Sequence, residues 1–138
     1  MVTKVFNALP PEAVEIRTAV FVEEQGFANE FDDIDNSAVH IVLFEGETPI
    51  SVCRFFYDES HKSYMIGRVA VANDWRKSGI GRKTVEAAEN ELRKISARSA
   101  MVSAQCRVQH FYEELGYKPF GEVYLDESCP HILMKKEF

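Results

Sequence analysis

The sequence predicts a single α+β domain, a three-layer arrangement in which a mostly antiparallel sheet is flanked by helices. Three observations predict it. Runs rich in β-branched and aromatic residues alternate with amphipathic stretches in the order strand, helix, three strands, helix, strand, helix, two strands. The stretch from Ile80 onward has the periodicity of a long amphipathic helix. The 138 residues, 46% of them hydrophobic, supply one sizeable core, and no linker, repeat or low-complexity tract divides residues 1–138 into smaller units.

The elements follow in order. TKVFNAL (3–9) reads as the first strand. PPEAVEIRTAVFVEEQGF (10–27) begins a helix with Pro11 and Glu12 in its first turn, where a missing N–H costs nothing and a negative charge suits the helix dipole. Ala13, Ile16, Val20 and Phe21 form its apolar face. SAVHIVLFEGETPISVCRFFYDE reads as two strands joined by a short turn at Gly46, and SYMIGRVAVAND as a third, antiparallel to its neighbour. In IGRKTVEAAENELRKIS, Ile80, Thr84, Val85, Ala88, Leu92 and Ile95 share one helix face, with Arg82, Lys83, Glu86, Glu89 and Arg93 on the other. AMVSAQ is a short strand, RVQHFYEELGY a helix stopped by Gly116, and FGEVYLDE with PHILMKKE a closing pair of strands.

Composition excludes several function classes. The longest apolar runs, such as IVLF, fall far short of the roughly 20 residues a membrane helix needs, and the first residues carry no signal segment. The expectation is a soluble, cytoplasmic protein that does not engage a membrane. Cys53, Cys106 and Cys129 lie far apart without a CxxC pair, so free thiols are expected and no structural metal. A formal net charge of -6 argues against nucleic acid, whose phosphates need a basic face, and is compatible with a small cationic substrate.

The stretch with the clearest chemistry is RKSGIGR, Arg76 to Arg82, between RVAV and the long helix. First-turn amides of a helix lack intrahelical partners and carry partial positive charge, so a glycine turn there can hold an anion. Gly79 and Gly81 allow close approach to phosphate oxygens, Ser78 adds a hydroxyl, and Arg76, Lys77 and Arg82 add charge. The ligand expected is a pyrophosphate. GIGRKT lacks the spacer of a Walker loop, and the third glycine of a dinucleotide-binding fingerprint is missing, so neither nucleotide fold fits.

RVAVANDWRKSGIGRKTVEAA resembles motif A of the Gcn5-related N-acetyltransferases (GNATs), whose loop of Arg or Gln, two residues, Gly, one residue, then Gly or Ala is met by Arg76, Gly79 and Gly81. The resemblance covers essentially the whole chain. FYEELGY is similar to the family's motif B, and RTAVFVEEQGF, DDIDNSAVH and PHILM are similar to a subgroup of small bacterial acetyltransferases. It implies the GNAT acyl-CoA N-acyltransferase fold, with a mixed sheet splayed at a β-bulge. It implies acetyl-CoA as co-substrate, its pantetheine arm on the backbone of Val69, Ala70 and Val71, and its pyrophosphate on Arg76, Lys77, Ser78, Gly79, Ile80, Gly81 and Arg82. It also implies direct attack by a primary amine of a small molecule in a ternary complex, and an open edge at the splayed strands allows a homodimer.

Acetyl transfer needs a neutral amine, a polarised carbonyl and a way to neutralise the departing thiolate. The resemblance places Tyr112 where the family often has a tyrosine that donates to the CoA sulfur; read without it, Tyr112 is an aromatic core residue beside Phe111. For a base, the acidic segment offers Glu23, Glu24, Glu30, Asp32, Asp33 and Asp35 as groups that hold a cationic amine or pass on its proton, most of them merely solvated. Glu24, at the end of the first helix along the substrate-side wall, is the preferred one; His110 and His131 are alternatives, since imidazole titrates near neutrality. Cys106 and His110, four apart, share a helix face but do not make a zinc site. Two other readings compete: an acyl-homoserine-lactone-synthase-like acyltransferase, similar in RTAVFVEEQGF and DDID but longer and in need of a basic docking face, and a non-catalytic CoA-binding sensor.

Overall fold

The computed structural model describes Met1–Phe138. Its strands are β1 (Val2–Phe6), β2 (Val39–Glu45), β3 (Thr48–Asp58), β4 (Ser63–Val71), β5 (Ser99–Gln105), β6 (Lys118–Asp126) and β7 (Cys129–Glu137). Its helices are α1 (Pro11–Arg17), α2 (Ile80–Lys94) and α3 (Gln109–Glu114). The strands form one sheet in the order β1-β2-β3-β4-β5-β7-β6, antiparallel throughout except for the parallel pair β4 and β5.

Alternation along the strands distributes the core between the two faces of the sheet. Val42, Phe44, Val52 and Ala70 pack under Ala13, Ile16, Val20 and Phe21 of the first helical segment. Ile41, Leu43, Cys53, Phe55 and Ile66 pack on the opposite face with Ile80, Val85, Ala88 and Leu92 of α2 and Tyr112 and Leu115 from around α3. Glu89, expected on the solvent side of α2, is buried instead. Its carboxylate accepts from Tyr117 Oη at 2.7 Å and from Lys136 Nζ at 3.1 Å, the partners a buried charge requires.

Two irregularities in β4 create the site. Val52 pairs with Ala70 and Arg54 with Gly67, so Arg68 and Val69 together oppose Cys53, a β-bulge of one extra residue. Arg68 sits there at φ +52, the left-handed region that a side chain rarely adopts. Beyond the bulge β4 leaves β5: the parallel pairing covers only Tyr64–Ile66 with Ala100–Val102. The gap left between them joins the two faces of the sheet.

The first helix also departs from the expected uniform α-winding over residues 10–27. After α1 the chain winds as a π-helix over Thr18–Glu24. Its last bonds are long-reaching, from Gln25 N–H to Val20 O at 3.2 Å and from Phe27 N–H to Phe21 O at 2.9 Å, and Gly26 at φ +77 then turns the chain. The helix expected over 107–117 is shortened to α3 behind a 3-10 turn, Cys106–Val108. No helix is long and apolar enough to cross a membrane.

Candidate active site

The gap between β4 and β5 opens into a cavity of about 1070 Å³. Gly81, Phe111 and Tyr112 line it from the α2 and α3 side, and Phe21, Phe27, Arg68 and His131 from the α1 side. Val69, Ala70 and Val71, the strand expected along the pantetheine arm, form part of its wall.

At one end lies the glycine loop. Gly79 precedes α2 at φ +78, and no atom lies within 4 Å of where a Cβ would stand. The amides of Ile80, Gly81 and Arg82 have no acceptor in the chain; the first N–H of the helix to find one is Lys83, bonded to Gly79 O at 3.2 Å. Lys77, Ser78 and Arg82 are exposed around this opening. Ser78 Oγ donates to Trp75 O at 2.9 Å, and Ile80 turns its side chain into the core, leaving only its amide toward a ligand. A Cβ on Gly81 would stand 3.3 Å from ring atoms of Phe111, so this glycine also makes room for an aromatic ring of the cavity wall. Open space, free amides and cations fit the pyrophosphate expected there.

Arg76 is engaged differently from its neighbours. Its Nη1 and Nη2 donate to the two carboxylate oxygens of Glu24, each at 2.8 Å, and its Nε donates to Val71 O at 3.0 Å. Two residues expected to work separately, one on the pyrophosphate and one on the amine, are thus a bidentate pair. The Arg76 hydrogen bond holds the Glu24 carboxyl below the usual carboxylate range, and Glu24 raises the Arg76 guanidinium in return.

Tyr112 is the aromatic core residue beside Phe111 that the sequence allows, and it also lines the cavity. Its ring packs edge-to-face on Phe111 at 5.0 Å and on Tyr117 at 5.8 Å, within the core. Its hydroxyl has no hydrogen-bond partner in the chain and the residue lines the cavity. Burial, then the nearby Cys53, push the phenol up, so it stays protonated and able to donate.

Three carboxylates of the acidic segment after the π-turn, Glu30, Asp32 and Asp35, are paired rather than free. Arg17 donates from Nε to Glu30 Oε2 at 2.8 Å and from Nη1 to Asp35 Oδ1 at 2.8 Å. Arg54 Nη1 donates to Asp35 Oδ1 at 2.8 Å and to Asp32 Oδ1 at 2.6 Å, while Arg68, on the bulge, donates from Nε to Glu30 O at 3.1 Å. Three guanidinium groups meet three carboxylates, largely out of water, and His40 Nε2 donates to Asp35 O at 3.0 Å beside them. Burial raises the Asp35 carboxyl, but the bonds from Arg17 and Arg54 outweigh it and bring it to about 2; at Glu30 burial prevails and the carboxyl is pushed up. Sequence reasoning missed this network, although an arginine inside SVCRFFY, a run that can only be a buried strand, signals nearby carboxylates. Glu23 and Asp33 take no part in it. His110 is exposed and pairs with Glu114 at 2.9 Å, and neither it nor Cys106 lines the cavity.

Two contacts fasten the far wall. Glu127, in the turn between β6 and β7, accepts from the amides of Ala28 and Asn29 at 2.8 and 3.1 Å, and Gln105 Nε2 donates to Gln25 Oε1 at 2.8 Å. His131 stands behind them on the cavity wall, its ring edge against Phe27 at 6.4 Å.

Comparison with known proteins agrees with this geometry. The model of the acetyltransferase (GNAT) domain matches residues 6–138. A Bacillus subtilis protein named as an acetyltransferase is 32% identical over 131 residues, covering 91% of this chain and 87% of its own. A solved acyl-CoA N-acyltransferase from Pseudomonas aeruginosa superposes with a TM-score of 0.83 at 25% identity, covering 98% of each chain. An aminoglycoside 6'-N-acetyltransferase solved in complex with coenzyme A has the same fold, with a TM-score of 0.78 at 14% identity over 99% of this chain and 97% of its own.

Proposed function

The chain belongs to the GNAT acetyltransferase family, and from that premise we propose that it moves the acetyl group of acetyl-CoA onto a primary amine of a small molecule, with both substrates bound at once. It is an acyltransferase; the acetyl donor and the amine acceptor are our reading. The observation that carries it is a helix start with three free amides that meets, through Arg76 and Gly81, the cavity opened by the sheet gap. The fold neighbour solved with coenzyme A supports the same donor.

Acetyl-CoA, when bound, supplies an activated thioester. The amides of Ile80, Gly81 and Arg82, with Lys77, Ser78 and Arg76, would hold its pyrophosphate, and Val69 to Val71 would lie along the pantetheine arm. Tyr112 donates a hydrogen bond from its unpartnered hydroxyl to the sulfur as the C–S bond breaks and the C–N bond forms, and the proton shed by the new amide nitrogen ends on the departing thiolate to give free CoA thiol. Glu24, kept ionised by Arg76, accepts from the incoming ammonium on lone pairs that Arg76 leaves unused and so draws the acceptor to the cavity.

Titration calorimetry with acetyl-CoA, followed by thiol-release assays across polyamines, amino sugars, amino acids and peptides, tests the reading. Binding with turnover of at least one class is expected. No heat of binding together with silence across the panel would end it.

A further inference from the structure

We infer that His131 is the general base that takes the proton from the acceptor amine; this deepens the acyltransferase reading and rests on it. The tautomer of the ring is dictated by its contact. His131 Nδ1 lies 2.8 Å from the backbone carbonyl oxygen of Cys129, and a carbonyl only accepts, so the proton is on Nδ1. Nε2 is then left with its lone pair. It has no hydrogen-bond partner in the chain, yet it is not among the buried polar atoms lacking one, where Arg54 Nε stands alone. His131 lines the cavity, so its bare nitrogen is reached from there.

The ring is also held in place. It stacks on Tyr124 of β6 at 6.0 Å with the planes 28° apart, and Phe27 stands edge-on at 6.4 Å. Tyr124 in turn is hydrogen-bonded through its hydroxyl to Ser103 Oγ of β5, spanning β7. In the ladder His131 is opposite Gln105, the residue of β5 bonded to Gln25 at the end of the π-turn. A base needs a fixed lone pair facing the place where the acceptor enters, and this side chain meets that description.

Glu24 and His131 then divide the work. Glu24 holds the positive charge of the amine; one proton moves from the ammonium nitrogen to Nε2, giving an imidazolium whose Nδ1–H remains on Cys129 O, while the amine nitrogen keeps the electron pair that forms the new bond. The imidazolium returns the proton to solvent. The ionisable groups on elements around the ring are Tyr124 and Asp126 on β6, Cys129 on β7 itself and Glu127 in the β6–β7 turn; elsewhere on the cavity wall stand Glu24, Arg76, Arg107 and Tyr112 and the network of Glu30, Asp32, Arg54 and Arg68. Phe27 and Gln105 are neutral.

Two measurements on the full chain test this. Long-range proton–nitrogen correlation spectra of histidine-labelled protein, with His131 assigned by its loss in H131Q, should show the neutral ring protonated on Nδ1 and bare on Nε2; an Nε2–H tautomer overturns the proposal. Thiol release with acetyl-CoA and spermidine, glucosamine or lysine should show H131Q lowered about 100-fold or more in kcat, with unchanged calorimetric CoA affinity and with the acid-side limb of the pH profile gone. Equal kcat in H131Q and wild type overturns it. A wild type that binds acetyl-CoA but turns over none of the three amines counts against the acyltransferase reading on which the assignment rests, whereas equal rates in both proteins count against His131 alone.

Discussion

Glu24 and Arg76, 52 residues apart, bind each other through two 2.8 Å hydrogen bonds, tying the end of the π-turn to the start of the glycine loop. The glycine loop and the end of the π-turn therefore share one ion pair. In R76A the loss of a charge-assisted donor should weaken CoA binding by roughly tenfold, and added salt should narrow the difference from wild type. In E24Q the guanidinium is freed for phosphate, so CoA affinity should hold or rise while kcat/KM for the amine falls. Calorimetry and steady-state kinetics on the two variants check both signs.

The two loop glycines serve different ends and should fail differently. G79A puts a side chain at φ +78 in open space, costing about 1–2 kcal/mol of backbone strain and placing a methyl group in the anion cradle. G81D sets a Cβ 3.3 Å from Phe111 and a negative charge beside the free amides, so it should abolish CoA binding. A G81D protein that melts like wild type and still binds CoA would refute the cradle.

Y112F separates core from chemistry. The hydroxyl has no partner in the chain, so its removal should move the unfolding free energy by less than about 0.5 kcal/mol. Turnover should fall about tenfold or more if the hydroxyl meets the departing sulfur. Thermal melts and kcat together decide between the two roles.

Acid should act through the buried network. The Asp35 carboxyl lies at about 2 in the folded chain against an ordinary 3.8, so the folded state binds fewer protons there. Its contribution is present above the ordinary value and is lost as pH falls from about 4 toward 2. Glu30, whose carboxyl is pushed up, has the opposite sign and does not contribute to that loss. Denaturant titrations across this window should show stability falling with acid, and D35A, which leaves Arg17 and Arg54 short of a partner, should cost about 3–5 kcal/mol at neutral pH.

Much of this was legible in the sequence because it rests on local pattern. The apolar spacing of Ile80 to Leu92 determines α2, and Gly79 before it and Gly81 in its first turn mark a tight helix entry whichever ligand it serves. What stayed hidden depends on contacts between distant residues. Glu89 reads as a solvent-facing position by periodicity, and only Tyr117 and Lys136, from elements late in the chain, make its burial tolerable. Glu30, Asp32 and Asp35 read as a solvated acidic run until Arg17, Arg54 and Arg68 converge on them from three different elements. His131 was legible only as one alternative within PHILM; its lone pair is defined by a carbonyl two residues back and by which wall of the cavity β7 supplies.

The extra residue in β4 ties the sheet gap to the acidic segment that holds Glu30 and Asp32. Arg68 is both the residue that breaks the ladder and the cation that reaches Glu30 and Asp32. Deleting its single codon would realign β4 with β3, flip the side chains beyond it and strip two carboxylates of a counter-charge at once.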